Sequence, residues 1–321
     1  MSDLLPSVTV IIPARPEPAE ILAVTAAQWL DYPPDKLQII VARGKQPSVQ
    51  RNAALRAARG ELVYFLDDDS VPPPGNLLRA VKSFADDRVK MVGGPNLCPD
   101  DAPLLERIFA LVLASWLAFG PSRARYSPVG AMRPAGEKEL ILCNLAARRA
   151  ELLELGGFNE LLYPNEENAL MDELQKRGGQ LIYDPGFIVH RRPRRSLQSF
   201  CRMLLTYGRG RAEQFRVNPT PGSILNFVPP LFCVYLAALA GTLPFFGAIM
   251  LAPLALYALA VILQALALLP LGGLGKSFAA LPFIVLTHVL YGLGFWRGLF
   301  TRLKTGHSRP AIPVVLENIQ A

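Results

Sequence analysis

The sequence feature that most constrains this chain is a long stretch, residues 227–269, without a single Asp, Glu, Lys, Arg or His. One helix of that length would rise roughly 60 Å, about twice the thickness of the hydrocarbon core of a bilayer. We therefore expect two membrane spans there, separated by a tight turn at residues 241–244. A buried core helix is the alternative, but core helices do not need so long a run without charge.

A third apolar segment, residues 278–300, has His288 near its middle and Arg297 near its end. A histidine in an apolar span is more often a packing or helix-bonding residue than a ligand. The sequence thus predicts a transmembrane region at 222–303, with spans at about 225–243, 247–269 and 278–300, and a C-terminal tail at 304–321.

The start of the chain predicts the side of the membrane. It has no basic start followed by an apolar run of the kind that a secretory signal carries. We therefore expect a cytoplasmic front part on a multi-pass protein of the inner (cytoplasmic) membrane. Three spans would leave Arg302, Lys304 and Arg309 outside, against the positive-inside tendency. Either one apolar segment is re-entrant or this chain breaks the rule.

Up to about residue 221, charge is mixed with short apolar runs, and this part is long enough to bury its own core. Its patterns predict strands at 8–12, 37–42, 62–66, 89–92 and 140–145 and helices at 18–30, 48–59, 76–84, 148–155 and 169–176. Such a series is typical of an α/β domain, a mostly parallel sheet flanked by helices. We expect this domain at residues 1–221, with 104–119 and 191–215 as interfacial helices.

Three consecutive carboxylates, Asp67, Asp68 and Asp69, follow directly on the third predicted strand. Ligands of open α/β sheets gather at the carboxyl ends of strands. The three charges repel one another unless a cation or water neutralises them. Asp67 and Asp69 fall on one side of an extended segment, so we expect them to hold Mg²⁺ or Mn²⁺ and, through it, nucleotide phosphates. A solvated acidic turn before the prolines at 72–74 is the alternative.

A second acidic group, Glu166 and Glu167, follows Asn165. Asn165 can cap a helix, and glutamates in its first turn interact favourably with the helix dipole. The functional alternative is that one of these carboxylates is a general base, which accepts the proton of an attacking hydroxyl. Both roles are open from these residues alone.

The net charge of +7 is concentrated directly before the first predicted span. The arginines concerned are Arg191, Arg192, Arg194, Arg195, Arg202, Arg209, Arg211 and Arg216. Nucleic acid is one class of partner for such a cluster. Its position beside an apolar segment favours membrane lipids or a lipid phosphate instead. We therefore expect no nucleic-acid partner.

Five motifs occur in a fixed order: VTVIIP at 8–13, QRNAA at 50–54, FLDDDS at 65–70, GGFNE at 156–160 and EE at 166–167. Together they resemble glycosyltransferase family 2, over roughly residues 7–215. The later part is similar to the membrane-bound branch that builds exopolysaccharides, notably the succinoglycan type, through YGRGR at 207–211 and HVLYGLG at 288–294.

The resemblance implies a GT-A fold, a nucleotide-diphosphate sugar donor, a divalent metal and inversion at the anomeric carbon. A UDP-sugar is the expected donor. Asp67 would contact the nucleoside or ribose, and Asp69 would bind the metal on the diphosphate. Glu167 falls where the family usually has an aspartate base, and Glu166 is the alternative. The donor-binding residues would be Pro13, Arg15, Arg51, Asp67 and Asp68.

The resemblance also bears on the acceptor. Arg209 and Arg211 fall where membrane-bound relatives carry a basic motif near it. They would hold the diphosphate of a polyprenyl-linked acceptor at the bilayer surface. Attraction to the anionic leaflet without a specific ligand is the alternative.

One loop departs from the family pattern. After its second strand the family commonly has an acidic loop that grips the nucleobase, whereas residues 41–48 read VARGKQPS, without a carboxylate. Base recognition must then come from elsewhere, from Arg15, Glu17 or backbone groups. Arg43 and Lys45, with Arg51, are candidates for contacts to the donor diphosphate, and simple solvation is the alternative.

These expectations describe an inverting, metal-dependent glycosyltransferase that adds a sugar to a lipid-linked acceptor in polysaccharide or glycolipid synthesis. Two other functions fit the same residues. One is a transferase that uses polyprenyl monophosphate as acceptor. The other is a non-catalytic membrane scaffold that kept the fold and lost donor binding.

Overall fold

The structure is a computed structural model that describes residues 5–17, 20–160, 166–217, 219, 221–303 and 313–320. The strands are β1 (Val8–Ala14), β2 (Leu37–Arg43), β3 (Leu62–Leu66), β4 (Val89–Gly93), β5 (Asn96–Leu97), β6 (Arg133–Pro134), β7 (Asn144–Arg148), β8 (Gln180–Tyr183), β9 (Val189–His190) and β10 (Val315–Ile319). Eight of them form one sheet in the order β10-β2-β1-β3-β7-β4-β8-β6, and β5 and β9 form a separate pair.

The helices are α1 (Leu22–Gln28), α2 (Pro47–Ala57), α3 (Asn76–Ser83), α4 (Leu104–Leu113), α5 (Trp116–Phe119), α6 (Arg149–Glu154), α7 (Glu166–Lys176), α8 (Leu197–Val217), α9 (Val228–Phe246), α10 (Ala252–Ala267), α11 (Leu269–Ala279) and α12 (Leu281–Phe300). The chain divides into two compact units. The first unit comprises residues 1–99, 124–192 and 305–321, and the second comprises 100–123 and 193–304. This division differs from the expected single boundary at residue 221.

The sequence predicts a mostly parallel sheet, but the central sheet of the first unit mixes parallel and antiparallel pairings in similar numbers. β1 pairs in parallel with β2 and β3, and β4 pairs in parallel with β8. β7 lies between β3 and β4 and is antiparallel to both. The expectation of an α/β fold, with a sheet flanked by helices, is confirmed.

The continuous apolar run of β1 reflects burial on both faces of the sheet. Val8, Val10 and Ile12 belong to one apolar cluster, and Ile11 belongs to the other. A strand covered on both sides needs no polar alternation, and parallel strands in this situation read as unbroken β-branched runs. The carboxyl ends of β1, β2 and β3 therefore lie at one edge of a buried sheet.

The C-terminal segment, which the sequence predicts as a tail, contains a strand of this sheet. β10 is antiparallel to β2, with Val315 opposite Arg43 and Ile319 opposite Ile39. Leu316 packs against one apolar cluster and Ile319 against the other. The segment joins the first unit because its alternating side chains can cover the free edge of β2.

The second unit contains the apolar helices. Within the described residues, two segments are long and apolar enough to cross a membrane, Gly241–Ala267 and Leu281–Phe300, or three if the bent pair Leu104–Leu113 and Trp116–Arg125 is one span. Ile224–Leu239 is a shorter apolar segment. The expected turn at 241–244 is wrong, because α9 continues through Pro244 to Phe246 and is followed by Gly247. Gly247 has φ +63°, a conformation that glycine adopts without strain, and a 3-10 turn follows it.

The expected interfacial helix at 104–119 is bent. α4 and the segment from Trp116 form an angle of 61°. Ser115 lies at the bend, and its side chain accepts a hydrogen bond from the backbone N–H of Ala118. A serine at this position stabilises the start of a new helix, so the single helix becomes two.

Helices α8 and α12 cross closely through glycines. A Cβ on Gly208 would lie 2.0 Å from the carbonyl oxygen of Tyr291, and one on Gly294 would lie 2.2 Å from that of Leu205. Gly298 is equally close to the backbone of Arg209. The two glycine-rich motifs, on which the resemblance to the membrane-bound branch of the family rests, are thus also the packing surfaces of this helix pair.

Candidate active site

The acidic triplet lies at the carboxyl edge of the sheet, as the sequence predicts. Asp67 follows the last residue of β3, and β1 and β2 end beside it at Ala14 and Arg43. Burial raises the pKa of Asp68 above its usual value, and the charges of Asp69 and Asp67 raise it further. The three carboxylates therefore do repel one another in the folded chain.

A guanidinium group lies between two of these carboxylates. Arg191 Nη2 is 3.2 Å from Asp67 Oδ2, and Arg191 Nε donates a hydrogen bond to Asp69 Oδ1. The backbone holds Arg191 there, because Val71 and His190 exchange two hydrogen bonds of 2.9 Å. The sequence assigned Arg191 to the membrane-facing basic cluster, and that interpretation is wrong for this residue. The pairing of Val71 with His190, which are far apart in the chain, places Arg191 beside the acidic triplet.

The pair Asp67 and Asp69 has the chemistry of a cation site. Both side chains converge on one positive group, the guanidinium of Arg191. Among the described residues, no group of three or more His, Cys, Asp or Glu side chains is arranged to hold a metal ion. Mg²⁺ needs only one or two protein carboxylates when water and substrate phosphates complete its shell. Two converging carboxylates fit that requirement.

Arg51 connects the two acidic groups of the chain. It lies on α2, with Nη2 3.0 Å from Asp67 Oδ1 and Nη1 3.3 Å from Glu166 Oε1. The side chains of Arg51 and Glu166 are only 8% and 4% exposed. The sequence resemblance predicts that Arg51 contacts the sugar donor. The structure gives it two carboxylate partners, through which the strand end and the start of α7 are held together.

The neighbours of Arg51 tie further elements to the site. Gln50 Nε2 donates to the carbonyl oxygens of Ala14 and Ala42, at the ends of β1 and β2. Asn52 Nδ2 donates to Phe158 O at 2.8 Å, and Asn52 Oδ1 accepts from the N–H of the same residue. The QRN triplet is therefore a set of three buried connectors, a role that its residue types alone did not indicate.

The two glutamates of the second acidic group differ in environment. Glu166 is buried, and its Oε2 has no hydrogen-bond partner among the described residues. Burial raises the pKa of Glu166 well above its usual range, and the charge of Glu167 adds to this. The Glu167 side chain is 17% exposed, and its Oε1 is 4.0 Å from Arg125 Nη1. The expected cap Asn165 lies outside the described residues.

The remaining predicted site residues are less central. Pro13 is buried within β1, opposite Ala42. Arg15 is exposed after the end of β1, and its carbonyl oxygen accepts a hydrogen bond from Arg43. Arg209 and Arg211 belong to α8 of the second unit.

Both of these arginines have partners on their own helix. Arg209 Nε is 3.4 Å from Glu213 Oε1, and Arg211 Nη1 donates to Gln214 Oε1 at 3.0 Å. The Nε atom of Arg209 is buried and makes no hydrogen bond within the described residues. Its contact with Glu213 is therefore an ion pair without hydrogen-bond geometry.

The chain is similar in sequence to known glycosyltransferases. Residues 24–108, from α1 to α4, match the family described as "Glycosyl transferase family 2". The chain is 27% identical over 175 residues to "Pre-mycofactocin glycosyltransferase" from two strains of Mycobacterium tuberculosis, CDC 1551 and H37Rv. That alignment covers 51% of this chain and 34% of each relative, so the chain spans about a third of the length of the curated relatives it matches.

The fold is also similar to a solved structure. The mannosyltransferase PcManGT from Pyrobaculum calidifontis, in complex with GDP-Man and Mn²⁺, superposes with a TM-score of 0.61 and 20% sequence identity. The superposition covers 92% of this chain and 88% of that one. The family match applies to residues 24–108, and the structural likeness shows that the fold is GT-A-like.

Proposed function

We propose that this protein is an inverting glycosyltransferase, which moves a sugar from a nucleotide-diphosphate sugar to a lipid-linked acceptor at a membrane. The observation that carries the proposal is the continuous ionic path Asp69–Arg191–Asp67–Arg51–Glu166 at the carboxyl edge of the sheet. It connects a pair of carboxylates suited to a cation with a pair suited to base catalysis. Binding the donor at such an edge agrees with the general behaviour of α/β sheets.

On the donor side, Asp67 and Asp69 would hold the divalent cation. When bound, the cation supplies neutralisation of the charge that develops on the leaving diphosphate. Arg191 then has to give up at least its bond to Asp69, and a guanidinium released there is well suited to phosphate oxygens. Asp67 also keeps Arg51, so its carboxylate stays oriented during this exchange.

On the acceptor side, Glu167 is the better base of the two glutamates. A general base has to come within hydrogen-bond distance of the proton it removes. Glu166 is buried and bound to Arg51, whereas the Glu167 carboxylate keeps some exposure. Glu167 would take the proton from an acceptor hydroxyl as its oxygen attacks the anomeric carbon and the bond to the diphosphate breaks. This single displacement inverts the anomeric configuration.

Few observations indicate which nucleotide the donor carries. The sequence resemblance led us to expect a UDP-sugar, and the structural neighbour from Pyrobaculum calidifontis was solved with GDP-Man. Experiments on the donor should therefore include both nucleotides. The sugar itself is a further variable of the same screen.

Two returns of the chain to the first unit support a proposal for the membrane topology. Residues 100–123 leave that unit and come back to it, and residues 193–304 do the same before β10. A segment with both ends in one folded unit crosses a membrane an even number of times. We propose two crossings, Gly241–Ala267 and Leu281–Phe300, and an interfacial position for the bent pair Leu104–Leu113 and Trp116–Arg125. Arg302 then lies on the side of the catalytic unit, in accord with the positive-inside tendency.

The proposed acceptor is a polyprenyl-linked sugar in polysaccharide or glycolipid synthesis. Arg209 and Arg211 precede the apolar helices, and guanidinium groups match the geometry of phosphate oxygens. The alternative acceptor, polyprenyl monophosphate, would use the same arginines. The two acceptors give different lipid products, one with a diphosphate and one with a single phosphate.

Transfer by purified protein in lipid nanodiscs tests the proposal. The assay combines Mn²⁺ or Mg²⁺, labelled UDP- and GDP-sugars, and either a polyprenyl diphosphate sugar or a polyprenyl monophosphate. Transfer to one of the lipids, with inverted anomeric configuration, is the expected result. A folded protein that binds none of the donors in calorimetry would identify a scaffold instead and would overturn the proposal.

A further inference from the structure

The C-terminal strand β10 begins at the edge of the sheet where the donor is proposed to bind. β2 runs toward that edge and ends at Arg43, and β10 runs away from it, starting with Val315 opposite Arg43. Glu317 lies two residues further on the same face of the strand, diagonal to Arg43. A carboxylate from the far end of the chain is thus brought next to the loop that follows β2.

Glu317 makes an ion pair with Arg43. Glu317 Oε1 is 2.7 Å from Arg43 Nε, and the two side chains are 37% and 19% exposed. The carboxylate of Glu317 neutralises the charge of Arg43, so the attraction of Arg43 to the donor diphosphate is reduced. The sequence hypothesis that Arg43 contacts this diphosphate is therefore not supported by its surroundings.

Arg43, which Glu317 holds in place, also binds the backbone of the segment after β1. Its Nη1 donates to the carbonyl oxygens of Arg15 and Glu17, at 3.3 and 3.1 Å. These two residues are the ones that the sequence offers for base recognition in place of the missing acidic loop. Glu317 orients Arg43, and Arg43 fixes the backbone of the turn at residues 15–17.

We propose that β10 contributes one side chain to the donor site, Glu317, which is a positioning residue for nucleobase recognition. This inference rests on the proposed function. Glu317 supplies, from the C-terminal strand, the carboxylate that residues 41–48 lack. It acts through Arg43 on the turn at 15–17, whose backbone groups and side chains then read the base. The ligand affected is the nucleoside part of the donor and not its diphosphate.

A structural role for β10 is the competing explanation, because any strand could cover the free edge of β2. Asn318 offers a matched control. It lies next to Glu317 on the opposite face, where its Oδ1 accepts a hydrogen bond from Gln38 Nε2 at 3.0 Å. Asn318→Ala removes a side-chain bond of the same strand without touching Arg43, whereas Glu317→Gln weakens only the ion pair.

The experiment is calorimetric titration of the full chain in detergent, with Mn²⁺, using GDP, UDP, ADP and CDP, and pyrophosphate as the base-free probe. Glu317→Gln is expected to weaken the preferred nucleotide by up to about fivefold and to reduce the preference among bases. Pyrophosphate affinity and the melting temperature should stay unchanged, as should all affinities of Asn318→Ala. Glu317→Asp should restore part of the base preference.

Two outcomes separate this inference from the proposed function. If the wild-type protein binds nucleotides and Glu317→Gln leaves the preference among bases unchanged, or weakens pyrophosphate equally, the inference alone is overturned. If the folded wild-type protein binds no nucleotide at all, both are overturned.

Discussion

The two units of this protein use opposite means to bring distant segments together. In the first unit, charged side chains from α2, α7 and the segments after β3 and β9 meet in a chain of ion pairs. In the second unit, glycines of α8 and α12 let two backbones approach until no side chain fits between them. Ionic contacts at an exposed edge can be exchanged for a ligand, whereas backbone packing cannot. We therefore expect function to be sensitive in the first unit and stability in the second.

The largest effect should come from the proposed base. Glu167→Gln keeps the shape of the side chain and removes its basicity, so kcat should fall by about 10²–10⁴-fold with little change in donor binding. Glu166→Gln is the matched comparison, since it changes a neighbouring glutamate that is bound to Arg51. Single-turnover assays with the labelled donor measure both. A greater loss of kcat in Glu166→Gln would show that Glu166, and not Glu167, is the general base.

Asp69→Asn should reduce metal-dependent transfer by roughly 10²–10⁴-fold while the melting temperature stays close to that of the wild type. The reason is that Asp69 is 39% exposed at a strand end and pairs with Arg191, whose side chain is itself partly exposed. Asp87→Asn, at a fully exposed carboxylate, is the control. Unfolding of Asp69→Asn would mean that the triplet is a structural element and would contradict the comparison of the two units.

Gly208→Ala should destabilise the second unit by about 1–3 kcal/mol, because its Cβ would meet the backbone of Tyr291. Gly275→Ala in α11 is the control, since nothing lies within 4 Å of a Cβ at that position. An alanine there should leave stability unchanged or raise it slightly. Thermal unfolding in detergent measures both variants. Equal melting temperatures would show that the close crossing of α8 and α12 is not required.

The smallest effect is expected from removing the guanidinium group of Arg191, which lies between Asp67 and Asp69. Arg191→Gln removes a competitor for the cation, so Mn²⁺ should bind a few-fold more tightly in the absence of donor. Arg88→Gln, which breaks an exposed ion pair with Asp86, controls for the loss of one positive charge. Calorimetric titration with Mn²⁺ alone provides the readout. Unchanged affinity in Arg191→Gln would show that Arg191 and the metal do not share the carboxylates.

The sequence predicted much of the fold because the relevant signals are local. The apolar runs of β1, β2 and β3 and the glycines that end helices predicted the positions of these elements to within a few residues. The strand predicted at 140–145 forms instead as Asn144–Arg148. Asn144, in which the structure begins the strand, is buried and accepts a hydrogen bond from the hydroxyl group of Tyr64. A buried polar residue of this kind carries no periodic signal.

The candidate site was predicted in part. The acidic triplet and the glutamate pair are found from sequence because carboxylates after a strand or at a helix start have a recognisable position. Arg191 was not found, since its neighbours in sequence are other arginines beside an apolar segment. Glu317 was not found either, since nothing near it in sequence indicates a site. Both are brought to the sheet edge by strand pairing over a long separation.

By itself, the sequence determined the α/β class, the acidic carboxylates at a strand end and the apolar character of the C-terminal part, because these follow from the order of neighbouring residues. Only the tertiary structure decided which arginine faces the triplet, which glutamate keeps access to solvent and that the last strand returns to the first unit. Those properties depend on strand register and on burial. Both are set by contacts between residues far apart in the chain, and such contacts have no local pattern.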